Sequence, residues 1–374
     1  MIGIQRGDNT LIGRWWWTID RPLLFGLLGL MGVGLVLVII ASPGVAERID
    51  APTFHFVKRH LMLLPVAVGL MLAASLLSPR QTRAAALLLL LGAIAALVLT
   101  MVVGVEIKGA RRWIPLGGFS LQASEFAKPA MAVMAGWMLA QHRLKGGSWY
   151  LIGALLAFGV PLSLTAIQPD VGASVVMMAV FGMQVFIAGI SLWAAALMAM
   201  AAIGCFGLAY LYVPHVTSRV DRYLDPAAGD TYQIDMSLNA FRSGGLIGRG
   251  PGDGVLKGAL PDAHSDFIFA VAGEELGLIA CMGIIALFAF IVLRAFARAL
   301  RDGQLFTMLA AGGLATLFGA QALVNLGSTL ALIPTKGMTL PFVSYGGSSL
   351  FALALGMGFA LALTRKRRQQ EDLV

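Results

Sequence analysis

The chain has 374 residues, 58% of them hydrophobic and only 12% charged, with a formal net charge of +8. Soluble domains carry about a quarter of charged residues, so this composition excludes an ordinary water-soluble fold and points to an all-α polytopic membrane protein. Both cysteines, Cys205 and Cys281, lie inside apolar runs, which argues against a disulfide framework or a cysteine metal cluster.

A helix needs about 20 apolar residues to cross the hydrocarbon of a bilayer. Ten runs approach that length: 22–41, 61–77, 84–104, 125–141, 149–166, 171–188, 191–212, 267–293, 305–332 and 340–363. The first is too long for the apolar core of a signal peptide, and further spans follow it. The chain therefore reads as one transmembrane domain over 1–374, with no additional soluble domain. Arg294, Arg298 and Arg301, with the basic tail of residues 364–374 that contains Arg365-Lys366-Arg367-Arg368, put both termini in the cytoplasm by the positive-inside rule. The net charge then reflects topology. No aromatic-basic stacking platform points to nucleic acid.

Between the seventh and eighth runs lies the one long connection, 213–266, extracytoplasmic in this orientation and of a length usually tied to function. Ile234, Leu238 and Phe241 stand at i, i+4 and i+7, which predicts a short amphipathic helix lying on the membrane surface. The stretch "GGLIGRGPGDG" is only loosely like a phosphate cradle, because no Gly-Lys-Ser/Thr follows and no strand is expected before it. Turns that fold the loop back over the helix ends are the simpler expectation. The two halves do not read as inverted copies, which argues against a repeat-built transporter.

An ionisable side chain within a span costs at least about 2.5–3.5 kcal/mol at the bilayer centre and needs a reason to be there. In "ASEFAKPAM", Glu125 and Lys128 are i, i+3 on one helical face, placed to pair. Asp170, in "IQPDVG", is placed to cap the sixth run. Lys336, between two prolines in "IPTKGMTLP", reads either as an interfacial lysine or as a cation for an anionic headgroup. Arg111 and Arg112 precede Trp113, and guanidinium groups suit either lipid phosphates or a substrate diphosphate.

The stretch "PDAHSDFIFAVAGEELG" sets Asp262, Asp266, Glu274 and Glu275 in and beside an apolar run. Asp266 stands immediately before that run and reads either as a helix cap or as an exposed carboxylate at the outer boundary. Glu274 and Glu275 lie about 12 Å further along at 1.5 Å per residue, so metal chelation by all the acids together is not expected.

Four motifs, "RRWIPLGGFSLQASEFAKP", "QPDVG", "PDAHSDFIFAVAGEELG" and "IPTKGMTLPFVSYGGSS", together resemble the SEDS family (shape, elongation, division and sporulation) over essentially the whole chain. "PTKG" before "TLPFVSYGGSS" resembles the cell-division branch more than the elongation branch. The resemblance implies a peptidoglycan glycosyltransferase that polymerises lipid II in the bacterial cytoplasmic (inner) membrane, at the division septum. It implies that Asp266, the acid after His264-Ser265, is catalytic, with Ser265 standing where relatives often have Thr. His264, Trp113 and Lys336 become expected substrate contacts, and Arg111 joins them on phosphate grounds. Glu125, Lys128, Asp170, Glu274 and Glu275 become structural or cavity charges, with the two glutamates shaping the cavity below Asp266. A single-span class B penicillin-binding protein, packed near spans eight and nine, and other division proteins are the implied partners, with membrane lipids around them.

The chemistry suits these residue types. A carboxylate can take the proton of an attacking sugar hydroxyl. A departing lipid diphosphate needs cations, which basic side chains or a divalent metal such as Mg2+ would supply. A glycoside hydrolase would instead want two carboxylates flanking the bond. Two other readings stay open at this point: a lipid II flippase, which would also need a charged lipid-facing cavity, and a non-enzymatic division scaffold.

Overall fold

The computed structural model describes residues 10–107, 110–117, 119–189, 232–301, 303–334 and 337–366, with isolated positions between 200 and 221. The helices before the first hairpin are α1 (Leu11–Thr18), α2 (Arg21–Arg48), α3 (His55–Ser75) and α4 (Pro79–Val103). Strands β1 (Val105–Ile107), β2 (Ala110–Pro115) and β3 (Ser120–Leu121) then form an antiparallel sheet in that order. Helices α5 (Ala123–Lys145), α6 (Ser148–Ile167) and α7 (Val171–Ile187) follow. After the long connection come α8 (Tyr232–Gly244), α9 (Leu256–Ala259), α10 (Ile268–Arg301), α11 (Leu305–Thr329) and α12 (Gly347–Leu363).

Among the described residues, α2, α3, α4, α6, α10 and α11 are long and apolar enough to cross a bilayer, and α7 and α12 are shorter apolar helices. The expected run at 191–212, and most of the connection before residue 232, lie outside the described residues. The run at 340–363 becomes helix only at Gly347, because residues 341–346 turn, with Phe342 at φ +62° and the Ser344 hydroxyl accepting from Leu340 N–H.

Helix α5 is the hub. Ala127, Ala130, Met131, Ala132, Val133 and Ala135 on it are fully buried, and it packs against α4, α6, α7, α11 and α12. Small residues let backbones approach closely, the usual basis of association where lipid is as apolar as the partner helix. Gln184 of α7 adds polar glue, donating to the carbonyls of Ala132 at 2.5 Å and Leu309 at 3.1 Å and so joining three helices.

The two ends of the bundle differ. At one end, Asp20, the N-cap of α2, receives Arg294 at 2.9 Å and Arg298 at 2.9 Å from the last turns of α10. Arg365 donates to the Thr18 hydroxyl there, so both basic clusters gather on one face. At the other end, α10 is broken at Gly277, whose φ of +78° is foreign to a helix. The glycine-rich segment fills the break. Arg249 and Gly250 N–H donate to the Glu274 and Glu275 carbonyls, and Leu278 and Ile279 N–H donate to the Gly245 and Leu246 carbonyls. A Cβ on Gly277 would stand 2.3 Å from Gly248 N, so the contact tolerates only glycine. Residues 244–258 thus fold back over a helix end, as the turn reading expects. Helix α8, expected to lie on the membrane surface, instead docks on α10, with Phe241 against Phe269 at 5.6 Å between ring centroids.

Candidate active site

A cavity of about 570 Å³ opens at the end of the bundle away from Asp20. Arg59 of α3, Arg112 and Trp113 of the hairpin, Glu125 of α5, Asp170 before α7, Asp262 and Asp266 before α10, and residues 345–349 at the start of α12 all line it. Helices α5, α7 and α12 begin at its wall, with Gln122, Asp170 and Gly346 as their caps. Each N-terminus carries about half a positive charge from its aligned peptide dipoles, and first-turn N–H groups suit an anion. The Gln122 and Gly346 side-chain positions provide no cap for their own helices. Arg59 and Arg112 add positive charge to a wall that also carries Glu125, Asp170, Asp262 and Asp266.

Three consecutive carbonyls before α10 are each held by a donor from elsewhere. Tyr345 N–H donates to the His264 carbonyl at 2.9 Å, the Ser344 hydroxyl donates to the Ser265 carbonyl, and Asn325 Nδ2 donates to the Asp266 carbonyl at 2.9 Å. The segment carrying Asp266 is thereby fixed to α11 and to the turn before α12. Asp262, at φ +54°, makes the preceding turn, and its carbonyl accepts from Ser265 and Phe267 N–H. Asp266 precedes α10, and the Phe267 carbonyl accepts from Ala270 and Val271 N–H in the first turn.

Beneath the cavity, Lys128 pairs with Glu125 at 2.8 Å, the bridge expected from their spacing, and both are buried. Lys128 also donates to Gln321 Oε1 at 2.9 Å, and Gln321 Nε2 reaches the Ser349 hydroxyl at 3.2 Å. A buried charge pair needs such further partners to offset its lost hydration. Asp170 caps Ala173 N–H at 3.3 Å and accepts from Gln122 Nε2 at 3.2 Å, so the cap expected for it exists and ties α5 to α7.

Of the residues expected at a site, Trp113, Glu125, Asp170 and Asp266 meet at this cavity, with Lys128 just below. Lys336 lies outside the described residues. Arg111 does not line the cavity: it pairs across the hairpin with Glu106 at 3.6 Å, both largely exposed. Its neighbour Arg112 takes the inner position, donating to the Gln168 carbonyl at 3.0 Å and to the Pro169 carbonyl. The His264 ring also turns away from the cavity, into Phe56 at 4.1 Å and Tyr345 at 5.4 Å between centroids. That enclosure pushes its pKa down to about 4, chiefly through burial, with Asp262 opposing.

Glu274 and Glu275 correct the expectation that they shape the cavity below Asp266. Glu274 accepts from Val255, Leu256 and Lys257 N–H at 2.8, 2.9 and 3.0 Å. Glu275 accepts from Gly252 and Gly254 N–H and from Lys257 Nζ. Both are buried and serve the returning loop, because the break at Gly277 brings that loop to their side of the helix. Sequence reasoning missed Arg59, whose signal was a basic pair at the start of an apolar helix, and Asn325, an amide one turn after Gln321 in an apolar run. Among the described residues no group of three His, Cys, Asp or Glu side chains is close enough to chelate a metal.

Residues 21–369 match the model of a family described as cell cycle proteins, under the combined name FtsW, RodA and SpoVE. The chain is 45% identical over 364 residues to a probable peptidoglycan glycosyltransferase FtsW of Caulobacter vibrioides, covering 97% of this chain and 93% of that one. A protein of the same name from Pseudomonas fluorescens is 34% identical, with 94% and 89% covered. Among solved structures, a chain from a peptidoglycan synthase complex that coordinates polymerization and crosslinking superposes with a TM-score of 0.76 at 28% identity, covering 93% of this chain and 98% of that one. The rod shape determining protein RodA of Thermus thermophilus superposes with a TM-score of 0.66 at 30% identity, covering 93% and 97%. Helical architecture, motif order and full-length similarity agree: the chain belongs to the SEDS family of cell cycle proteins.

Proposed function

We propose that this chain is a peptidoglycan glycosyltransferase of cell division that polymerises lipid II, with Asp266 as general base. The observation that carries the reading is the cavity itself, where Asp266 on a clamped backbone shares a wall with Arg59, Arg112 and three helix N-termini, while Glu125 is paired with Lys128 and Asp170 caps its own helix. The 4-hydroxyl of an acceptor N-acetylglucosamine attacks C1 of a donor N-acetylmuramic acid. As the new O–C1 bond forms, Asp266 takes the hydroxyl proton and the C1–O bond to undecaprenyl diphosphate breaks. The diphosphate leaves as an anion, so it needs no proton donor. Arg59, Arg112 and the helix N-termini stabilise its developing charge, and Lys336 would add a further cation. No step is assigned to a metal.

Both termini are placed in the cytoplasm and the cavity on the outer face, in keeping with the basic clusters gathered at the Asp20 end. A class B penicillin-binding protein is the expected transpeptidase partner, supported by the likeness to a chain of a peptidoglycan synthase complex. Placement at the division septum rests on the family branch.

The test is glycan yield and length from lipid II, using purified parent and Asp266→Asn proteins, each with the transpeptidase partner. Asn keeps the size and the capping ability of Asp, so the variant is expected to fold, bind its partner and lose about 10²–10⁴-fold in rate. Near-parental polymerisation by Asp266→Asn removes the base assignment. Absence of polymerisation by the parent, with transport of lipid II across vesicles, would favour the flippase instead.

A further inference from the structure

Asn325 stands in the last turns of α11 and is 1% exposed. Its Nδ2 donates to two main-chain carbonyls, Asp266 at 2.9 Å and Met338 at 2.6 Å. Only the amide nitrogen has two N–H groups for two acceptors, so the network itself orients the amide. One side chain therefore ties the backbone of Asp266 to the segment after Lys336. Thr329, one turn later, places its hydroxyl 2.8 Å from the Asn325 carbonyl and 3.5 Å from the same Asp266 carbonyl.

The carboxylate meets the same segment from its other flank. A Cβ built on Gly337 would stand 2.9 Å from Asp266 Oδ2, and among the described residues, chain neighbours aside, the Asp266 side chain is what it meets within 4 Å. Gly337 is exposed to the cavity and is not among the residues at positive φ. Its backbone would accept any L residue, so what glycine provides there is room for the carboxylate.

We propose that Asn325 and Gly337 are the positioning residues of the base: Asn325 fixes the Asp266 backbone against residues 337–338, and Gly337 leaves the carboxylate its place. The proposal rests on the reading of Asp266 as base. A base works within about 2.6–3.2 Å of the proton it takes, and a displacement of about 1 Å can lower a rate about 100-fold.

The experiment measures kcat and KM for lipid II polymerisation by the full chain with its transpeptidase partner. The variants are Gly337→Ala, Asn325→Ala, Asp266→Asn and the two doubles with Asp266→Asn. Gly337→Ala is expected to lower kcat about 10–100-fold with KM within about twofold and an unchanged melting midpoint. Asn325→Ala is expected to lower kcat similarly and to melt earlier, since two buried carbonyls lose their donor. In the Asp266→Asn background neither substitution should reduce the residual rate further, because no base remains to be placed.

Gly337→Ala with parental kcat, or with a raised KM alone, overturns the proposal. So do full additive losses in the Asp266→Asn background, which would make both residues merely structural. Should Asn325→Ala fail to insert, Gly337→Ala still decides, because its new methyl is directed at the Asp266 carboxylate. An active Asp266→Asn protein would overturn the base reading, whereas an inactive Asp266→Asn beside a parental Gly337→Ala overturns the positioning frame alone.

Discussion

Asp266 and the pair Glu274-Glu275 stand within ten positions of one another, yet they belong to different parts of the molecule. Asp266 borders an open cavity, on a backbone whose carbonyl Asn325 holds. The two glutamates are buried, and their carboxylates accept backbone N–H groups from residues 252–257. An acid used for chemistry must keep a lone pair available to substrate. An acid used for architecture gives its lone pairs to the protein. The same residue class in the same apolar setting is thus distinguished by where its hydrogen bonds go.

The largest expected contrast is in stability. Glu275→Ala leaves Lys257 without its buried partner and Gly254 N–H without its acceptor, a loss of about 3–5 kcal/mol. Asp266→Ala, at a carboxylate that lines the open cavity, should cost less than that. Thermal unfolding in detergent micelles measures both. Equal losses would erase the distinction between the two acids.

Acid should loosen the Asp266 side through His264. The ring titrates at about 4 in the fold because burial disfavours its charged form, against about 6.5 in an unfolded chain. The unfolded state therefore binds more protons between those values. Stability is complete above pH 6.5 and falls by up to about 3 kcal/mol as pH drops toward 4. Hydrogen exchange of peptides spanning residues 260–270 should accelerate over that window, and His264→Phe should flatten the response. An unchanged slope in His264→Phe would place the sensitivity elsewhere.

The smallest contrast separates the paired arginines. Arg112→Ala removes a charge from the cavity wall and from the Gln168 carbonyl. It is expected to lower kcat/KM for lipid II by about 10–100-fold, the size of a charge-assisted contact. Arg111→Ala gives up an exposed pair with Glu106, worth about 0–1 kcal/mol, and should remain within a few-fold of the parent. The reverse ranking would move the anion site to the outer face of the hairpin.

Hydropathy made six spans legible among the described residues, since the physics of a bilayer acts on stretches of about 20 residues, while α5, expected as a span over 125–141, is not among them. Spacing was sufficient for Glu125 with Lys128, because i, i+3 on a helix is a contact rule. The cap at Asp170 followed from its place before an apolar run. The role of Glu274 and Glu275 was not legible. Nothing in an apolar run announces that Gly277 will adopt φ +78°, or that a loop thirty positions upstream will return to that gap. The choice between Arg111 and Arg112 depended on which one crosses the hairpin to Glu106, a register that two adjacent arginines do not disclose. Asn325 was hidden for a related reason: an amide in a span gains meaning only from the two carbonyls it meets.

The repaired break in α10 also sets an order of assembly. The apolar stretch after the break, residues 278–293, is shorter than the about 20 residues of an ordinary span, so the turns on both sides of Gly277 are needed to complete it. The outer turns 268–276 do not complete until residues 244–250 arrive, since backbone groups left open in lipid cost several kcal/mol each. The platform that carries Asp266 is therefore finished late, jointly by two segments. A chain with a misplaced loop would lack this platform, so the placement of the loop and the activity are coupled through the hydrogen bonds at the break and the two glutamates beside it.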